Sequence, residues 1–212
     1  MTRVLANGVR LDPAGLGDLA ELRAVCLQTG NAGEDATDLY QLPELLGEIY
    51  VEPYVRFEPE LAFALSDNRG ICGYVLGARN TNEFESLVLS RYRAQLLERY
   101  RESSMLKQAD LHLLQNFASM TMTPDSVVCE YLAHLHIDLL PRAQNRGFGK
   151  VMITHLLDKF SGLGASGVHL RVAQSNLRAI EFYKKLEFNQ VMKIGEEYIF
   201  ARNLASNRSM LT

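Results

Sequence analysis

The sequence predicts an α/β protein built on a mixed sheet covered by helices, and three observations predict it. Residues 61–65 and 71–78 are rich in strand formers and enclose Asp67, Asn68 and Gly70, which supply the turn of a hairpin. Residues 80–125 repeat their apolar positions at helical intervals. From Tyr131 onward, strand-like and helix-like segments alternate. The chain has 212 residues, 47% of them hydrophobic and 22% charged, a composition that suits one compact core.

The elements follow in order. Residues 9–11 read as a short strand, and Asp12-Pro13 as a helix start, with a side-chain acceptor followed by a preset φ. Leu19, Leu22 and Cys26 continue that helix as an apolar stripe. Residues 28–38 are loop-forming, and a second helix over 42–49 is expected to stop before Pro53. After the hairpin, Phe84, Leu87, Val88, Tyr92, Leu96 and Tyr100 mark a helical insertion, resumed over 106–117. Residues 131–140 form a strand. Residues 149–160 form a helix, with Met152, Ile153, Leu156, Leu157 and Phe160 on one face. A strand over 168–172, a helix over 176–186 and strands over 191–194 and 198–204 complete one domain spanning 1–204, leaving 205–212 as a tail.

A net charge of -3 with scattered Lys and Arg gives no footprint for nucleic acid. No stretch reaches the roughly eighteen uninterrupted apolar residues of a membrane span, and the first residues lack a secretory pattern, so a cytoplasmic protein is expected. Cys26, Cys72 and Cys129 are odd in number and far apart, which indicates neither a disulfide framework nor a zinc site. They read as small buried hydrophobes, and no metal is expected.

Chemistry is concentrated in Gln144-Asn145-Arg146-Gly147-Phe148-Gly149-Lys150, which joins a strand to a helix after Pro141. Two glycines allow close backbone approach, and free amides at a helix start form an anion site suited to a pyrophosphate, with added charge from Arg146 and Lys150. A Walker loop fails because Gln144 and Val151 stand where Gly and Ser or Thr are required, and a dinucleotide fingerprint fails at Met152. What remains is Gln/Arg-x-x-Gly-x-Gly/Ala. This loop, then a strand, then Asn176, Ala179, Phe182-Tyr183, Leu186 and Phe188 in order, resembles the GNAT acetyltransferases.

The resemblance implies the GNAT fold: a mostly antiparallel sheet of about six to seven strands, splayed central parallel strands, and helices on both faces. It implies acetyl-coenzyme A as cofactor and transfer of the acetyl group to an amine on a small molecule or peptide, with no nucleic-acid or membrane partner. Backbone groups at Leu139 and Leu140 would pair with the pantetheine arm, Asn176 would hold the arm from the other side, and Tyr183 would protonate the departing thiolate. One departure is Glu187, where the family usually has Gly; a left-handed backbone there would cost about 1 kcal/mol. The insertion over 80–125 is a second departure.

The words Val25 to Gly30, Asp35 to Tyr40, Pro43 to Gly47, Pro53-Tyr54 and Gly70 to Tyr74 further resemble the acetyltransferase-like domain at the C-terminus of animal protein O-GlcNAc hydrolases. The animal versions have a degraded phosphate loop, whereas residues 144–149 here are intact, which implies a stand-alone bacterial relative that keeps its cofactor site.

An amine acceptor must lose a proton, so a base is required. His134, His136 and Asp138 alternate along one strand and share a face if it is regular, although a family bulge there would switch faces downstream. Glu130 and Asp110 are further candidates, and His134 and His136 have an equal claim to be half-buried structural residues. The histidine pair lacks a third metal ligand. His155 is expected on an exposed helix face, while Asp35, Asp38 and Tyr40 form either a capped surface loop or an acceptor loop. A non-catalytic module recognising a protein or glycan is the alternative function, and the sequence leaves monomer and homodimer equally open.

Overall fold

The computed structural model describes residues 2–5 and 8–204, so the expected tail lies outside the described residues. Eight strands form one sheet in the order β1-β2-β3-β4-β5-β6-β8-β7. They are β1 (Arg3–Val4), β2 (Arg10–Pro13), β3 (Ala62–Asp67), β4 (Gly70–Ala78), β5 (Ala133–Leu139), β6 (Gly167–Ala173), β7 (Asn189–Ile194) and β8 (Glu197–Asn203). The two-residue β1 is the strand that the sequence pattern does not show. Neighbours run antiparallel except β5 and β6, which are parallel.

The helices are α1 (Leu19–Leu27), α2 (Leu45–Tyr50), α3 (Glu52–Phe57), α4 (Thr81–Leu87), α5 (Arg93–Tyr100), α6 (Gln108–Ala118), α7 (Asp125–Val128), α8 (Phe148–Gly162) and α9 (Leu177–Lys185). Strand alternation assigns the two sheet faces. Gly77 faces α8, where a Cβ would stand 2.6 Å from the Phe160 ring, so only glycine lets this helix settle on the sheet. Tyr74, one register away in parity, faces α1 with His136 and Asp138. The core fills both sides, with Leu22, Leu65, Leu76, Met152, Phe160 and Phe200 all at most 1% exposed.

Several expectations change. Asp12 and Pro13 end β2 rather than starting a helix; the chain turns at Gly15, whose amide donates to Asp18 Oδ2 at 2.8 Å, and α1 follows. The second helix does end before Pro53, at Tyr50, but Pro53 then lies in the first turn of a further helix, α3, where a missing N–H costs nothing. The insertion is broken by a wide turn at Val88–Tyr92, which keeps both of those side chains buried. Cys129 is exposed, unlike Cys26 and Cys72. His155 is half-buried against the Phe63 ring rather than exposed. Finally, β5 pairs with β4 from His134 to Leu139 without a register shift, so the expected bulge is not in this pairing. The shift occurs between β3 and β4 at Leu65/Ser66.

Candidate active site

The parallel strands β5 and β6 touch only at their starts, where Ala133 pairs with Val168 and His134 with His169. Beyond those pairs β5 continues to Leu139 and β6 to Ala173, leaving a gap in the middle of the sheet. Leu140 donates its amide to the Cys72 carbonyl at 2.8 Å, so this predicted pantetheine partner is already engaged with β4. Ladder alternation then turns the peptide groups of Leu139 toward the gap. Its carbonyl accepts from Gln144 Nε2 at 2.7 Å, which makes the Gln144 side chain a brace for the loop.

At the end of the gap lies the loop predicted to hold a pyrophosphate. Asn145 (φ 58) and Gly147 (φ 80) are left-handed, and Gly147 leads into α8. The amides of residues 145–150 donate no hydrogen bond to the other described residues, the arrangement of a backbone anion nest at a helix start. Gly149 leaves room for α9: a Cβ there would stand 3.0 Å from the Phe182 ring, a tight contact. Phe148 is buried and belongs to the core, while Arg146 lies over its ring at 5.0 Å and Lys150 is exposed. Asn176 Oδ1 caps α9 by accepting from the Ala179 amide at 3.0 Å. Its Nδ2 stays available as a donor beside Gly33. The chain's free amides, the parted strands and the donor at Asn176 together fit a pyrophosphate with an extended amide-bearing arm.

Tyr183 is buried on α9, and its hydroxyl makes no hydrogen bond to the described residues. Burial, with the nearby Asp138 carboxylate, raises its pKa, so the phenol is protonated over the physiological range and available as a donor. On the facing strand, Asp138 accepts from the Tyr74 hydroxyl, and His136 Nε2 lies 2.9 Å from that hydroxyl and 3.3 Å from Asp138 Oδ2. Since Tyr74 gives its proton to Asp138, the network assigns a proton to His136 Nε2 and leaves the Nδ1 lone pair free. A carboxylate that orients an imidazole in this way is a general-base arrangement.

Cys26 Sγ joins this cluster from α1, within 4.8 Å of the His136 and Asp138 ligand atoms. Burial and Asp138 push its pKa up, so it stays a thiol. The Tyr74 hydroxyl ties His136 and Asp138 together, and Cys26 lies beside the pair. Tyr74 and Cys26 escaped the sequence reading as site residues. Tyr74 sits opposite Asp138 only through strand register, which leaves no local signal.

His134 shares the face but not the role. Thr81 Oγ1 donates to the Leu132 carbonyl and so accepts from His134 Nδ1 at 2.8 Å, while Tyr54 donates to His134 Nε2 at 2.9 Å. With both nitrogens engaged and burial holding its pKa well below the usual value, His134 is a neutral structural residue, which corrects its candidacy as a base. Asp110 is likewise structural: fully buried, it accepts from the amides of Gln41, Leu42 and Lys107. Glu130 is exposed at the end of the insertion. Asp35 accepts from the Thr37 hydroxyl and amide, and Lys107 Nζ holds the carbonyls of Asp38 and Tyr40, so residues 35–40 form a capped loop pinned to the insertion.

Comparison with known proteins agrees with this geometry. The model of the Acetyltransferase (GNAT) family matches residues 116–188. The crystal structure of SsHAT superposes with a TM-score of 0.81 at 32% identity, covering 93% of this chain and 98% of that one. Protein O-GlcNAcase of Rattus norvegicus is 23% identical over 155 residues, which are 72% of this chain but 17% of that protein. The [Ribosomal protein bS18]-alanine N-acetyltransferase of Escherichia coli (strain K12) is 30% identical over 81 residues, 38% of this chain and 55% of the enzyme. The chain thus spans about a sixth of the O-GlcNAcase and about half of the bS18 enzyme. Among the described residues no helix is long and apolar enough to cross a membrane. The parted strands, the free amides before α8 and these relatives agree: the chain belongs to the GNAT acetyltransferase family.

Proposed function

We propose that the protein transfers an acetyl group from acetyl-coenzyme A to an amine by direct attack on the thioester. The observation that carries this reading is the gap between β5 and β6, which has unpaired amides at one end and both Tyr183 and the His136–Asp138 pair along it. When bound, acetyl-coenzyme A supplies an acyl group activated as a thioester.

The chain's own residues have separate tasks. Amides 145–150 bind the pyrophosphate, and the Leu139 amide with Asn176 Nδ2 aligns the pantetheine arm. His136 Nδ1 takes the proton of the attacking amine, while Asp138 and Tyr74 fix the imidazole. Tyr183 stands as proton donor to the departing thiolate. The family and the bS18 alanine N-acetyltransferase support an amine as acceptor.

The test is calorimetric titration of acetyl-coenzyme A, followed by turnover against a panel of amines and peptides. Micromolar binding that is lost in Gly147→Asp, with a turnover number about 10²-fold lower in His136→Gln and Tyr183→Phe at unchanged cofactor affinity, is expected. No binding by folded wild-type protein would overturn the reading in favour of a non-catalytic module.

A further inference from the structure

Beside the loop that precedes α8, on the side away from the gap, is a cleft of about 390 Å³ lined by Gly8, Val9, Arg10, Asp67, Asn68 and Arg146. Three separate segments build it: Gly8 to Arg10 at the start of β2, the β3–β4 turn and the loop before α8. Its charge is unbalanced in one direction. Asp67 already accepts from Arg142 Nε at 3.0 Å and from the Arg69 amide at 2.8 Å, so its carboxylate is neutralised, and these donors hold its pKa below the usual value. Arg10, 59% exposed at its side chain, has only a 3.5 Å contact to Asp12. Arg146 uses one guanidinium nitrogen on the Arg142 carbonyl at 3.4 Å. Most of the fork donors of both arginines therefore face solvent, and Asn68 adds a polar group between them.

We propose that this cleft is a phosphomonoester subsite, in which Arg10 and Arg146 hold the 3′-phosphate of the cofactor's adenosine. The inference rests on the coenzyme A reading above. A phosphate monoester carries nearly two charges at neutral pH and presents a planar face of oxygens that guanidinium forks match in pairs. Arg146 belongs both to the loop of free amides and to the lining of the cleft, so the two sites are contiguous. Arg10 and Asn68 lie outside residues 116–188, so this half of the subsite is a property of the chain's N-terminal strands rather than of the matched family segment. The rival position is the opposite flank of the loop, where Lys150 is exposed and Arg178 bonds Asn145 Oδ1 at 3.2 Å.

Calorimetric titration of the full chain with coenzyme A and with 3′-dephospho-coenzyme A tests the assignment. Wild-type protein is expected to prefer coenzyme A by about tenfold, the range of one hydrogen bond to a charged group. Arg10→Ala is expected to lower coenzyme A affinity to the dephospho level while leaving dephospho-coenzyme A unchanged, the second value also certifying the fold of the variant. Equal affinities in the wild type, persistence of the preference in Arg10→Ala, or its loss in Arg178→Ala would each overturn the subsite. Binding of neither compound would instead overturn the coenzyme A reading, and the subsite with it.

Discussion

Residue 187 carries a conflict between side chain and backbone. Its φ is 64, closing α9 with a left-handed residue whose successor, Phe188, donates back to the Tyr183 carbonyl at 3.1 Å. Arg202 partly compensates, reaching the Leu186 carbonyl at 2.8 Å and the Glu187 carboxylate at 2.9 Å. That ion pair is largely exposed on the Glu187 side and contributes little. Glu187→Gly is therefore expected to stabilise the fold by about 0.5–1 kcal/mol, read as a rise in the urea midpoint. A fall would show that Arg202 holds more than the backbone loses. This strain was legible in the sequence, because the order of motif residues marks position 187 as one where glycine belongs. The Tyr74–Asp138 bond was not, since it depends on the register between strands some sixty residues apart.

The helical elements depend on two buried carboxylates. Glu48, 2% exposed, binds Arg99 and the Tyr100 hydroxyl, and its backbone carbonyl accepts from Tyr92 at 2.8 Å. Glu52, 1% exposed, binds Arg23 from α1 and Arg56 from its own helix, and those arginines hold its pKa below normal against the opposing effect of burial. Together they fasten α5 of the insertion to α1, α2 and α3. Glu48→Ala leaves the half-exposed Arg99 and the Tyr100 hydroxyl without their partner, and a loss of about 1–3 kcal/mol is expected by denaturant titration. A change below about 1 kcal/mol would mean that the apolar contacts of Tyr92 and Leu96 suffice. Periodicity located the insertion because its apolar stripe is long. It could not show that Pro53 opens a helix, because a proline reads alike as a stop and as a start.

Across the whole molecule, the histidines link stability to pH. Burial lowers the pKa of His169 to about 4, and that of His134 is also well below the usual value. Below about pH 6.5 the unfolded chain binds protons that the folded chain refuses, so stability present at neutral pH is lost as pH falls. Each histidine contributes a slope of about 1.4 kcal/mol per pH unit between 6.5 and its folded value. Denaturant midpoints measured from pH 7.5 to 5 should fall accordingly, and His169→Gln should flatten the curve. A flat wild-type profile would mean that water or local opening relieves the burial. The strands and helices themselves were readable from alternation and periodicity, whereas this linkage depends on which histidine finds partners.

The gap between β5 and β6 also bears on how the sheet meets other chains. A sheet normally has two edges, but here the far halves of β5 and β6 add two more within the body of the protein, each with unpaired peptide groups. Any extended segment of suitable chemistry can pair there as a surrogate strand, and a cofactor arm that does so closes both inner edges together. Such a ligand would make one continuous ladder of two short ones, and its departure would return to the molecule the liability that strand edges carry in aggregation.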